Sequence, residues 1–169
     1  MPIATYYLHD PAAPKPNLPT HYGANVWLVW QGRLLLERRS DCDLWGLIGG
    51  GRKSGETDLQ AALRETREET GLTLTDYRYR GLVTFVSDQY PTEYMHLFTA
   101  RRWTGTAHPC DEGELAWIKK ADLLSLPLWE GDKIFLRLLD SDRPFFSLKL
   151  KYEGEKLVLA VLDGEEMRV

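Results

Sequence analysis

Apolar residues along this chain fall mostly into short strand-length runs, and a helical period appears in only two stretches. Asn25–Trp30 (NVWLVW) and Arg33–Arg39 (RLLLERR) flank Gln31-Gly32, a β-branched, aromatic and aliphatic pattern around a glycine turn that predicts a hairpin. Gly49, Gly50 and Gly51 then interrupt the chain before a helix predicted over Asp58–Thr70. Leu59, Ala62, Leu63 and Thr66 recur there at i, i+3, i+4 and i+7, which marks them as the inward stripe. Thr57 and Gln60 fit a capping box, Asp58 puts negative charge in the first turn, and Gly71 suits a left-handed C-cap. Two further strands, Tyr79–Ser87 and Glu93–Trp103, enclose Asp88–Thr92 as another hairpin. A strand at Leu115–Ile118 leads to a helical turn at Ala121–Leu126, and Ile134, Phe135 and Leu138 give Glu130–Leu139 one apolar face. Phe146–Tyr152 and Lys156–Leu162 close the chain as a hairpin around Glu153-Gly154. Strands mixed with two or three helices predict a single α/β domain over residues 21–169. Residues 1–20 hold Pro2, Pro11, Pro14, Pro16 and Pro19 and read as an extended N-terminal arm.

Composition adds limits. A 169-residue chain with 43% hydrophobic and 27% charged residues can bury a core without disulfides. Its formal charge of −4 excludes a uniformly basic footprint, so no stable nucleic-acid binding is expected. Phosphate ligands stay compatible with that charge, because a bound divalent cation inverts the local field. Cys42 and Cys110 belong to no CxxC motif and read as reduced thiols. The N-terminus carries no basic and apolar leader pattern, and no apolar run reaches the roughly 18 residues that span a bilayer. The expected location is therefore cytoplasmic, with no membrane partner.

The chemistry concentrates on one helix. Glu65, Glu68 and Glu69 stand at i, i+3 and i+4, so like charges share one face and repel by roughly 0.2–0.5 kcal/mol per pair on an isolated helix. A solvated acidic face, with Arg64 paired to Glu68, would accommodate such a pattern. The glycines ahead of the helix point elsewhere: a backbone stripped of side chains can approach a metal or phosphate, and Glu56 adds an oxygen at the helix entrance. Hard carboxylate oxygens suit Mg²⁺, which favours one or two protein carboxylates together with substrate phosphates.

At these positions the sequence resembles the Nudix hydrolase family. Gly50, Glu56, Arg64, Glu65, Glu68, Glu69, Gly71 and Leu72 fall on the family motif, with Thr66 in place of an apolar residue and Ile48 where a proline often precedes the paired glycines. The resemblance implies a Nudix fold, a mixed β-sheet sandwiched between helices, and Mg²⁺-dependent attack of water on a diphosphate linkage, with Mn²⁺ as a substitute ion. Carried over by position, Glu68, Glu69, Glu65 and the Gly50 carbonyl are metal ligands. Glu65 is alternatively the general base, Arg64 orients the carboxylates, and Glu56 is a helper ligand or a loop anchor. Glu112, in the acidic stretch before Trp117, is the choice for a further metal-binding or basic carboxylate. Family members are often dimers, so a homodimer is among the implied partners.

A narrower resemblance concerns the substrate. Leu128–Phe135 (LWEGDKIF) is similar to the corresponding segment of oxidised-purine nucleoside triphosphatases of the MutT type, in which a tryptophan stacks on the base and an aspartate reads the purine edge. Trp129 and Asp132 occupy those positions; packing of Trp129 in the core and capping by Asp132 are the structural alternatives. The asparagine that follows the upstream tryptophan in that group is Gly46 here, after Trp45. Arg52 is the expected phosphate contact, with Lys53, Arg38 and Arg39 as further candidates. ADP-ribose and dinucleoside polyphosphate substrates remain alternatives through Pro91 and through Tyr90 or Tyr94. A catalytically idle ligand sensor is a third class, although such domains usually lose the motif glutamates that this chain keeps.

Overall fold

The computed structural model describes residues 21–108 and 113–169. Nine strands form one mixed sheet: β1 (His21–Trp30), β2 (Arg33–Arg39), β3 (Trp45–Gly51), β4 (Thr73–Ser87), β5 (Glu93–Thr104), β6 (Gly113–Lys119), β7 (Phe146–Glu153), β8 (Lys156–Leu162) and β9 (Glu165–Met167). Their spatial order is β6-β2-β3-β1-β5-β4-β7-β8-β9. Helix α1 (Asp58–Thr70) covers one face and α2 (Glu130–Leu139) the other, after a 3₁₀ turn at Lys120–Ser125. β1 runs parallel to β5, and β4 runs parallel to β7.

Alternation along the central strands explains the two-layered core. In β2, Leu35 packs on the α1 side with Val26, Leu28 and Ala62, whereas Leu34 and Leu36 pack on the α2 side with Trp27, Phe135 and Leu148. A strand buried on both faces reads as a continuous apolar run, which is why Leu34-Leu35-Leu36 shows no polar partner residue. Each such leucine contributes roughly 1.5–3 kcal/mol by burial.

Several boundaries differ from the sequence reading. Gly49, Gly50 and Gly51 do not interrupt a strand; they form the end of β3, paired with Asn25, Ala24 and Gly23 of β1. Backbone hydrogen bonding keeps the strand, and close packing demands glycine at two of the three positions: a Cβ at Gly49 would lie 2.2 Å from the Ala24 carbonyl oxygen, and one at Gly50 2.6 Å from the Glu65 carboxyl carbon. β4 begins at Thr73, before Tyr79, because its mostly polar first half pairs with the end of β5 and buries only Leu74. β1 likewise starts at His21, and β9 was not foreseen.

Helix α1 has the anticipated ends. Gln60 N–H donates to Thr57 Oγ1 at 3.1 Å, Thr57 N–H donates to Gln60 Oε1 at 2.9 Å, and Gly71 closes the helix at φ 79°. Its buried face is Ala61, Ala62, Thr66, Glu69 and Thr70, with Leu59 and Leu63 only half-buried, so the inward stripe is rotated from the one anticipated. Thr66 fits the core because its hydroxyl donates to the Ala62 carbonyl at 2.7 Å, which leaves the methyl group to pack. In α2 the buried residues are Gly131, Phe135, Leu136 and Leu139, a face shifted similarly from Ile134 and Leu138.

Candidate active site

A cavity of about 1000 Å³ opens between the end of β3 and the start of α2. One wall is built from Gly49, Gly50 and Gly51 with Glu65 and Glu69 of α1 and Glu37 of β2; the opposite wall holds Phe85, Met95, Trp129, Asp132, Phe135 and Tyr152.

Helical geometry divides the three motif glutamates. At about 100° per residue, Glu69 lies roughly 40° to one side of Glu65 and Glu68 roughly 60° to the other. Glu69 therefore turns inward, is 4% exposed, and accepts the Gly49 N–H at 3.0 Å. Glu65 lies against Gly50, where an added Cβ would stand 2.6 Å from its carboxyl carbon. Glu68 points outward, with its side chain 53% exposed, and does not line the cavity.

Arg64 gathers the carboxylates from the side. Its Nε donates to Glu56 Oε1 at 2.6 Å and one terminal nitrogen to Glu56 Oε2 at 3.1 Å. That nitrogen also reaches the Gly51 carbonyl at 3.0 Å, while the other serves Glu65 at 2.9 Å and Glu68 at 3.1 Å. Glu56 accepts the Lys53 N–H at 2.8 Å as well. Hydrogen bonding from Arg64, then from the Lys53 amide, holds the Glu56 carboxyl down at about 2, and Glu56 in turn pushes the Arg64 guanidinium above its ordinary value. With both oxygens engaged, Glu56 stands as an anchor of the loop between β3 and α1.

The donor set on this wall suits a hard divalent cation: carboxylates from Glu65 and Glu69 beside a side-chain-free backbone at Gly50. Among the described residues no three acidic, histidine or cysteine side chains are gathered tightly enough to cage an ion.

On the opposite wall, Trp129 precedes the first turn of α2 and is 39% exposed, so it is not a core residue. Its ring meets Tyr152 edge-on, with centroids 5.7 Å apart and planes at 83°. Asp132 lies in that first turn and lines the cavity, and burial pushes its carboxyl up to about 7.

The chain matches the NUDIX domain over residues 19–139. It belongs to the Nudix hydrolase family. Over 113 residues it is 32% identical to the uncharacterized Nudix hydrolase YvcI of Bacillus subtilis, spanning 64% of this chain and 72% of that protein. An oxidized purine nucleoside triphosphate hydrolase of Danio rerio is 29% identical over 141 residues, spanning 79% of this chain and 88% of the relative. The crystal structure of the mutator MutT protein from Bacillus halodurans superposes with a TM-score of 0.78 at 30% identity, covering 86% of this chain and 99% of that one. The Nudix domain of Shewanella oneidensis NrtR, solved with ADP-ribose, shares the fold at a TM-score of 0.61 and 23% identity. The chain is thus a MutT-like Nudix hydrolase, an enzyme acting on phosphorus acid anhydrides. No helix among the described residues is long and apolar enough to cross a membrane.

Within this Nudix domain the remaining candidates scatter. Arg52 turns away from the cavity: it donates to Asp58 at 2.8 Å and lies 4.2 Å over the Tyr22 ring, while His96 Nε2 stands 3.2 Å from the same Asp58 oxygen. Arg38 pairs with Glu114 at 2.7 Å on the surface, whereas Arg39, paired with Asp41, lines the cavity. Tyr90 and Pro91 line it too, and Tyr94 packs edge-on against Tyr22. A Cβ at Gly46 would meet no described atom within 4 Å, so the missing asparagine leaves open space. Glu112 and Cys110 lie outside the described residues, and Cys42 is an exposed thiol.

Glu37 and Tyr152 went unnoticed in the sequence. Glu37 is 7% exposed and shares the face of Leu35, so a charged residue continuing a buried alternation was the available signal. Tyr152 likewise continues the inward set Leu148 and Leu150, and its hydroxyl is the one polar group that set carries to the cavity.

Proposed function

We propose that the chain is a Mg²⁺-dependent pyrophosphohydrolase of purine nucleoside triphosphates, with an oxidised purine among its substrates. The observation that carries this reading is that a carboxylate-lined wall and an aromatic, acid-bearing wall face one cavity of about 1000 Å³, large enough for a nucleotide. Glu69 and the Gly50 carbonyl would hold the ion through hard oxygens, and the exposed Glu68 would join them by turning in from the rim. When bound, Mg²⁺ acidifies water and neutralises charge on the phosphoryl oxygens. Water attacks phosphorus, the anhydride P–O bond breaks, and pyrophosphate leaves from a nucleoside monophosphate. Glu65, which lies against Gly50, would either complete that ligand set or take the proton from the attacking water. Arg64 orients Glu65 and Glu68 without touching substrate, and Glu56 fixes the loop that carries the glycines. Glu112 retains its candidacy as an additional carboxylate.

Trp129 supplies a face on which a base stacks. Asp132, titrating at about 7, exists in both forms near neutrality and so both donates to and accepts from a purine edge. Hydrolysis of ADP-ribose or a dinucleoside polyphosphate is the second reading, favoured by Tyr90 and Pro91 on the cavity wall. A phosphate-release panel with Mg²⁺ separates them, coupled to pyrophosphatase for dGTP and 8-oxo-dGTP and to alkaline phosphatase for ADP-ribose and diadenosine tetraphosphate, with wild type and Glu69→Gln. Turnover of triphosphates that collapses in the variant supports the proposal. Turnover of ADP-ribose or the dinucleotide alone overturns it, and glutamate-independent release of phosphate would remove the Nudix chemistry from this site.

A further inference from the structure

The start of α2 lacks the side-chain cap that its position requires. Trp129 is the N-cap residue and offers no acceptor oxygen, so the first free N–H groups of the helix need one from elsewhere. Tyr152 of β7 provides it: the Gly131 N–H donates to the Tyr152 hydroxyl at 2.7 Å. Tyr152 is 7% exposed, lines the cavity, and braces the Trp129 ring edge-on.

Gly131 is the other half of the arrangement. It is not among the glycines with positive φ, so its backbone does not call for glycine. The requirement is space: a Cβ there would stand 2.5 Å from the Tyr152 hydroxyl oxygen and 2.6 Å from Leu150 Cδ1. Glycine is a weaker helix former than alanine, and here its missing side chain opens the room the hydroxyl fills.

We infer that Tyr152, acting through Gly131, is a specificity-determining positioning residue that sets Trp129 and Asp132 for the base of the substrate. This inference rests on the nucleotide reading of the cavity given above. The hydroxyl acts as a remote cap for α2, and its own proton remains available to donate on the cavity side. Because the contact lies on the wall opposite Glu65 and Glu69, its loss weakens base binding and spares the hydrolytic step.

The test is a four-protein set, wild type, Tyr152→Phe, Gly131→Ala and the double variant, read by kcat and KM for dGTP, by inhibition with imidodiphosphate, and by Tm. Loss of one neutral hydrogen bond predicts a roughly fivefold rise in KM for Tyr152→Phe, with kcat within about twofold. Inhibition by imidodiphosphate, which engages only the phosphate side, is expected to stay unchanged. Gly131→Ala lowers Tm clearly more in the tyrosine background than when Tyr152 is phenylalanine, where only the contact with Leu150 remains. A fall in kcat at constant KM, equal weakening of dGTP and imidodiphosphate, or identical effects of Gly131→Ala in both backgrounds would each overturn the inference. A wild type inert on every purine triphosphate strikes the proposed substrate instead, and the Tm coupling then decides separately whether Tyr152 and Gly131 act as a pair.

Discussion

The two walls of the cavity are organised by different physics. On the α1 side, charge meets charge: Arg64 alone engages Glu56, Glu65, Glu68 and the Gly51 carbonyl, and Glu69 is tied to the Gly49 amide. On the α2 side, burial dominates: Phe85, Met95, Phe135 and Tyr152 line the cavity together with Asp132, whose affinity for a proton is raised by desolvation. The first wall is suited to holding a cation and an anhydride in fixed geometry. The second is suited to sorting what is attached to that anhydride. In the proposed reaction, separating the two would let one chemical step serve different substrates through changes on the apolar wall alone.

That separation can be broken most severely on the charged wall. Replacement of Glu69 by glutamine removes a buried carboxylate, and kcat is expected to fall by about 10²–10³, the scale of losing one electrostatic stabiliser of a transition state. Stopped assays of phosphate release measure it, and a loss below tenfold would take Glu69 out of the reaction. Arg64→Ala releases three carboxylates at once from a side chain that is 14% exposed, and a stability loss of about 2–4 kcal/mol in urea unfolding is expected. Lysine does not restore it, because the forked contact with Glu56 needs a guanidinium.

On the apolar wall the effects are smaller and depend on pH. The Asp132 carboxyl is raised from its ordinary value near 3.8 to about 7, so between those values the unfolded chain has lost a proton that the folded chain keeps. Its contribution to stability is therefore full below about pH 4 and lost progressively as pH rises through about 7. Asp132→Asn is expected to flatten that decline and to raise Tm by a few degrees at pH 8, as followed by calorimetry. The smallest change is expected where neither wall is touched: Arg38→Ala breaks an exposed pair with Glu114 and costs about 0–1 kcal/mol, with kcat unchanged.

The charged wall was far more legible in the sequence than the apolar one. Spacing alone located Glu65, Glu68 and Glu69 on one helix, and the Thr57–Gln60 capping box set where that helix begins. The division of labour among them depended on helix rotation against the sheet, which the stripe Leu59, Ala62, Leu63 and Thr66 misjudged in part: Ala62 and Thr66 are buried, but with Ala61, Glu69 and Thr70, while Leu59 and Leu63 are only half-buried. Gly49–Gly51 looked like a break because glycine is rare in strands, yet the close approach of β1 requires Gly49 and the Glu65 carboxyl requires Gly50. Arg52 had the right charge for a phosphate contact, but Asp58 and the Tyr22 ring hold it on the far side of the loop. Tyr152 and Gly131 are separated along the chain and meet only when β7 folds beside α2, so no local pattern announces their contact.

The division between the walls is tested most directly by measuring kcat and KM for one purine triphosphate in Glu69→Gln and in Trp129→Ala. A lowered kcat at nearly constant KM in the first, with a raised KM at nearly constant kcat in the second, is the predicted result. If both variants change the same parameter by similar factors, the two walls are not separate in function and the account fails.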